Sequence, residues 1–120
     1  MEQLKGKIGL VTGASRSIGK AIAVALAREG VNLVLASRST ESLRQVAASC
    51  AQLGVRAEAV TTDVTSDQQI ETLFVKLMEY FGRLDLLVNN AGIFNNSPLD
   101  QLATDAWDKV IATNLRAHFL

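Results

Sequence analysis

Four short apolar runs and the amphipathic stretches between them set the layout of the chain. Residues 7–11, Lys-Ile-Gly-Leu-Val, are apolar at nearly consecutive positions, as in a strand buried on both faces. Ile18, Ile22, Ala25 and Leu26 follow at three-to-four spacing, which predicts a helix over 17–29 stopped by Gly30. Residues 31–36, Val-Asn-Leu-Val-Leu-Ala, predict a second strand. A second helix is expected over 40–53, with Leu43, Val46, Ala47, Cys50 and Leu53 on one face and Gly54 at its end. A less apolar third strand covers 55–61. Thr65 and Gln68 have capping-box spacing and open a third helix that presents Ile70, Leu73, Phe74, Leu77, Met78 and Phe81 before Gly82. Residues 84–88 predict a fourth strand. An irregular stretch with Pro98 follows. Thr104 or Asp105 then opens a helix carrying Trp107, Val110, Ile111, Leu115 and Phe119.

Strands alternating with helices of this length predict an α/β fold: a parallel sheet with right-handed crossovers, helices on both faces and strand order 3-2-1-4. Doubly wound dinucleotide folds use about six strands in two halves, and only the first half is expected within residues 1–120. Strand four would then be an edge, with neither proline nor lysine to protect it. The last predicted helix runs to Leu120 without a cap. Both features lead to the expectation that more chain follows, and that the 120 residues alone are unstable or self-associating.

Composition narrows the picture. At 120 residues, 48% of them hydrophobic, the chain makes one domain at most, with a sizeable core. Twelve basic residues balance twelve acidic ones, which gives no electrostatic case for nucleic acid or an anionic membrane. No run approaches the roughly 18 apolar residues of a membrane span, and the first residues lack the apolar core of a secretory signal. The one cysteine, Cys50, rules out an intrachain disulfide and fits a reducing, cytoplasmic setting, with Cys50 as a small core filler. No cluster with metal-ligand spacing is present.

The chemistry begins at Gly13. Strand, glycine turn and helix start come in the order that builds an anion site. The first N–H groups of a helix lack intrahelical acceptors, the macrodipole adds partial positive charge, and small residues let a phosphate approach. After strand two the chain reads Ala36-Ser37-Arg38-Ser39, with no carboxylate until Glu41. An NAD site wants an acidic residue there for the ribose 2′-hydroxyl, whereas a guanidinium suits a 2′-phosphate. Arg38, with Arg16 closing from the other side, therefore predicts NADP(H) over NAD(H), unless Arg38 is simply a solvated residue at a helix start.

Thr12-Gly13-x-x-x-Ser17-Ile18-Gly19, then Asp63-Val64, then Asn89-Asn90-Ala91-Gly92, then Asn114 resembles the classical short-chain dehydrogenase/reductase family across essentially the whole chain, most nearly the 3-oxoacyl-carrier-protein reductase type. The resemblance implies a Rossmann-like cofactor domain over residues 1–120 and hydride transfer between a nicotinamide and a small carbonyl or alcohol substrate. It places Gly13, Ser15, Arg16, Ser17, Ile18 and Gly19 around the pyrophosphate. Asp63 and Val64 would meet the adenine, Asp63 having helix capping as its alternative. Asn90, Ala91 and Gly92 would lie near the nicotinamide ribose, with Asn90 also tying strand four to Thr12. It further implies a homo-oligomer. The family usually has glycine where Ser17 stands. With a helical φ the serine would cost little and its hydroxyl could bond a phosphate. With a positive φ it would cost about 1 kcal/mol.

Of the family's Asn, Ser, Tyr and Lys catalytic set, Asn114 matches the first, with a satisfied polar core residue as its alternative. No serine follows Pro98. The only tyrosine, Tyr80, has Leu84 four residues on and is expected to pack on the sheet. His118, the lone histidine, is read as incidental. The resemblance thus implies an NADP(H)-dependent oxidoreductase whose cofactor half is present, without turnover by these residues alone. The alternative is a non-catalytic nucleotide-binding module acting by association.

Overall fold

The computed structural model describes residues 3–15 and 17–90. Their order is β1 (Ile8–Thr12), α1 (Ser17–Arg28), β2 (Asn32–Ser37), α2 (Thr40–Ala51), β3 (Ala57–Thr61), α3 (Asp67–Phe81) and β4 (Leu86–Val88). The four strands form one parallel sheet in the order β3-β2-β1-β4, as the alternation of elements predicts. Leu10 pairs with Val34 on one side and Leu87 on the other. The predicted helix beyond Thr104 lies outside the described residues.

Side-chain alternation along each strand divides the core into two layers. Leu10, Val34, Ala36 and Val60 meet α3 through Ile70, Leu73, Phe74 and Leu77. Val11, Leu33 and Leu35 point the other way, onto Ala23 and Ala27 of α1 and Leu43, Val46, Ala47 and Cys50 of α2. Full burial of a large apolar side chain is worth about 1.5–3 kcal/mol. The α3 stripe, four such residues, therefore holds that helix far more firmly than its intrinsic propensity does. Alanines at the α1 contact let that helix lie close to β1 and β2. Cys50 is fully buried among these residues, as a filler should be.

Two long-range devices hold the amino edge of the sheet. Ile8 N–H donates to Asp85 Oδ2 at 2.8 Å, and Asp85 N–H donates back to the Ile8 carbonyl at 2.8 Å. Arg83 bridges Asp85 and the Gly6 carbonyl. This clasp pins the register of the short β4 against β1. Arg56 lies 5.3 and 5.0 Å from the centroids of the Tyr80 and Phe81 rings and donates to the Tyr80 carbonyl, so a cation sits on the negative end of α3.

Boundaries differ from expectation in small ways. β3 starts at Ala57 and β4 at Leu86, two residues late in each case, and α2 ends at Ala51 with Gly54 beyond a further turn. The Thr65–Gln68 capping pair is not formed. Ser66 is the N-cap and accepts from Gln69 N–H, because the Thr65 hydroxyl is engaged by Asp63. Gly82 ends α3 in the left-handed conformation, its N–H bonded to the Met78 carbonyl. Among the described residues no helix is long and apolar enough to cross a membrane, and no group of three or more His, Cys, Asp or Glu could hold a metal ion.

Candidate cofactor-binding site

Parallel strands bring the loops that follow them to one edge of the sheet. Thr12, Ser37, Thr61 and Val88 end the four strands there. Gly13, Ser15, Ser17, Ile18 and Gly19 follow β1, Arg38 follows β2, Asp63 and Val64 follow β3, and Asn90 follows β4. Every predicted site residue among those described therefore lies at this carboxyl edge. Arg16, Ala91, Gly92 and Asn114 lie outside the described residues.

The order of strands reverses at β1, whose neighbours are β2 and β4. Open sheets of this kind have their crevice at that point. Gly13 leaves β1 with φ +61°, a left-handed turn that glycine adopts without penalty. Gly19 packs directly on this turn. A Cβ there would overlap the Gly13 carbonyl oxygen, lie 2.7 Å from its carbon, and come within 2.8 Å of Asn90 Nδ2. Only glycine lets the first turn of α1 sit that close to β1. Ser17 has φ +56°, so it opens α1 from the left-handed region that the missing glycine would favour. Of the two cases set out above, the strained one applies. Ser17 and Ile18 are exposed, Ile18 by 53%, which is unusual for so large an apolar side chain.

Asn90 ties β4 to this turn and is only 7% exposed. Its N–H donates to Thr12 Oγ1 at 2.9 Å and its Nδ2 to the Gly13 carbonyl at 3.4 Å. Thr12 Oγ1 is also 3.0 Å from Asn89 Oδ1. The expected link between Asn90 and Thr12 is thus present, with Asn89 as an additional member. Asn90 Oδ1 has no hydrogen-bond partner among the described residues.

On the other side of β1, Asp63 Oδ1 accepts from Thr65 Oγ1 at 2.6 Å and from Thr65 N–H at 2.9 Å. The Thr65 hydroxyl and then its N–H hold the Asp63 carboxyl below the ordinary carboxylate range, against an opposing effect of burial that exceeds the small favourable influence of the Arg38 charge. The capping alternative for Asp63 does not hold, since Ser66 caps α3. Thr65, not among the predicted site residues, anchors this carboxylate, and the Asp-x-Thr spacing is the sequence signature of a side chain bonding two residues ahead. Tyr80 packs against the α3 layer near the end of that helix, at the opposite edge of the sheet. It is remote from the loops just described.

A family model for short chain dehydrogenases matches residues 7–120. The chain belongs to the short-chain dehydrogenase family. It is 39% identical over 117 residues to a hydroxynaphthalene reductase-like protein of Metarhizium guizhouense, which covers 97% of this chain and 44% of that protein. Among solved structures, L-sorbose reductase from Gluconobacter frateurii, complexed with NADPH and L-sorbose, superposes with a TM-score of 0.84 at 29% identity, over 98% of this chain and 51% of that one. A short-chain dehydrogenase/reductase from Burkholderia phymatum in complex with NAD gives 0.81 at 28% identity, over 96% and 46%. The chain spans about half the length of the curated relatives it matches. Its sheet and helices are the Rossmann-like arrangement of these short-chain dehydrogenases, and both cofactor types occur among them.

Proposed function

We propose that the chain binds NADP(H) at the carboxyl edge of its sheet and serves an oxidoreductase of the short-chain dehydrogenase type acting on a small carbonyl or alcohol substrate. The observation that carries the choice of NADP(H) is Arg38. It follows β2 directly, is exposed, and has no carboxylate between it and Glu41. A guanidinium at that place can take a 2′-phosphate in paired, charge-assisted hydrogen bonds.

The site fits a dinucleotide. The space left by Gly19 and the turn at Gly13 open the N-terminus of α1, where Ser15, Ser17 and the N–H groups around Ile18 would meet a pyrophosphate. Asp63 keeps Oδ2 for an adenine amine while Thr65 occupies Oδ1, and Val64 would border the ring. The Asn90 link fixes the chain just after β4, and Asn90, with Ala91 and Gly92 next in sequence, would border the nicotinamide ribose. Arg16 would join Arg38, and Asn114 would hold water near the reacting end. A bound nicotinamide supplies or accepts the hydride. The residues of this chain bind and orient it. Because the sequence has no serine after Pro98 and no Tyr-x-x-x-Lys, we expect cofactor binding without turnover by these 120 residues.

Fluorescence titration with NADPH and NADH tests the proposal. We expect NADPH to bind at least roughly tenfold more tightly, the worth of one charge-assisted pair. Arg38→Asp should reverse the order. Equal affinities, or tighter NADH, would overturn the choice of cofactor.

A further inference from the structure

The seam between β1 and β4 is closed at each end by a side chain. At the amino end, Ile8 N–H goes to Asp85 Oδ2 rather than to a backbone carbonyl, and Asp85 N–H returns a bond to the Ile8 carbonyl, both at 2.8 Å. Arg83 Nε braces the same carboxylate oxygen at 3.2 Å, and its Nη2 reaches the Gly6 carbonyl at 3.1 Å. At the carboxyl end, Asn90 N–H goes to Thr12 Oγ1 at 2.9 Å. Between the two closures lie only Leu86, Leu87 and Val88, each half-buried, paired with Gly9, Leu10 and Val11. Among the described residues β1 is the one strand beside β4. A strand so short, half-buried and paired on one side draws little of its register from apolar burial. The polar closures supply it.

Whatever places β4 also places Asn90, which follows Asp85 by five residues, about 16 Å of extended chain. The Asn90 amide holds the glycine turn by a single bond, Nδ2 to the Gly13 carbonyl at 3.4 Å, near the limit for a hydrogen bond. Its Oδ1 has no partner among the described residues, so nothing else there fixes the amide. The same Nδ2 lies 2.8 Å from where a Cβ on Gly19 would stand. A small shift of β4 one way therefore loses the bond to Gly13. A small shift the other way presses the amide onto the first turn of α1. Both places border the space assigned above to the pyrophosphate.

We infer that Asp85 is a positioning residue for the dinucleotide, acting from the opposite edge of the sheet: its clasp on Ile8 sets the register of β4 and thereby seats the Asn90 amide on the Gly13 turn. The inference rests on the cofactor site proposed above. It concerns the pyrophosphate end, which NADPH and NADH share, so it bears on both affinities alike. The ratio between them belongs to Arg38, which follows β2 on the other side of β1. The clasp is closed in the free protein, so Asp85 itself need not move when a dinucleotide binds.

The test compares dissociation constants for NADPH and NADH, and amide ¹H–¹⁵N spectra without cofactor, for the wild type, Asp85→Ala, Asp85→Asn and Arg83→Met, with Asp85→Ala repeated in an Asn90→Ala background. Asp85→Ala should weaken both dinucleotides about three- to tenfold, the worth of one hydrogen bond, and leave their ratio unchanged. Its spectrum should show the Asn90 side-chain amide and Gly13 displaced. Asp85→Asn keeps an oxygen for Ile8 N–H, loses only an exposed charge pair, and should stay within about twofold of the wild type. Arg83 is exposed, so Arg83→Met is expected to fold even where Asp85→Ala does not, and it should displace the same resonances by less. With alanine at position 90, Asp85→Ala should cost no more than about a further twofold. A merely structural clasp predicts an Asp85→Ala protein that unfolds more readily but binds with wild-type constants while folded. That result, with a wild type that binds NADPH, overturns this inference alone. An equal loss with and without the Asn90 amide overturns it too, as do unmoved Asn90 and Gly13 resonances in every clasp variant that folds. A wild type that binds neither dinucleotide overturns the cofactor proposal and this inference with it.

Discussion

Ser17→Gly should make the protein more stable, against the usual cost of glycine in a helix. Ser17 opens α1 with φ +56°, a region where an L-residue carries about 1–2 kcal/mol of strain. Its side chain is exposed and makes no hydrogen bond among the described residues, so its loss removes no packing. Glycine relieves the strain but gains freedom in the unfolded chain, which offsets about 0.4–1 kcal/mol. The net expectation is a gain of about 0.5–1 kcal/mol, equivalent to roughly 2–8 °C in Tm for a domain of this size. Ser17→Ala separates the two contributions, since it keeps the strained φ and deletes the hydroxyl. It should stay within about 0.5 kcal/mol of wild type. Urea unfolding followed by far-UV circular dichroism gives both values. A Ser17→Gly protein no more stable than Ser17→Ala would refute the assignment of strain to this residue.

Gly19→Ala should have the opposite outcome. The new methyl meets the backbone of Gly13 and the Asn90 amide, neither of which is a flexible chain end. We expect a stability loss of about 1–3 kcal/mol in the same urea assay, and at least roughly tenfold weaker NADPH binding by titration. Asp63 should leave a signature in acid. Its pKa is lowered in the folded state, so its charge contributes stability that is present at neutral pH and is lost as pH falls through the folded value. The stability difference between wild type and Asp63→Asn should therefore be constant from about pH 6 to 8 and shrink below about pH 4; a difference that grows on acidification contradicts the assignment. Cys50 is fully buried and burial pushes its thiol pKa up, so a thiol reagent at neutral pH should label it slowly in the folded protein and promptly in urea.

Much of the fold was legible because each strand is buried on both faces. Leu33, Val34, Leu35 and Ala36 belong alternately to the two core layers, so an unbroken apolar run marks β2 and the helices around it. Gly30 and Gly82 mark turns by the same logic, each with a positive φ. What the sequence leaves open depends on partners far along the chain or on torsions. Thr65 and Ser66 are equally good caps as letters, and the choice falls to Ser66 only because Asp63 takes the Thr65 hydroxyl. The clasp of Asp85 on Ile8 joins residues 77 apart, and no local pattern announces it. The φ of Ser17 follows from how α1 docks on Gly13. In the site, the glycine turn and the Asn90 link to Thr12 were legible from their motifs.

A phosphorylated nicotinamide dinucleotide should bind at the carboxyl edge of this sheet. An amide ¹H–¹⁵N titration of the protein with NADPH tests this residue by residue. Saturable shifts are expected at Gly13, Ser15, Ser17, Ile18 and Gly19, at Arg38, at Asp63 and Val64, and at Asn90, with Arg56, Tyr80 and Asp85 at the opposite edge unmoved. Shifts centred on that opposite edge, or none at millimolar NADPH, would contradict it.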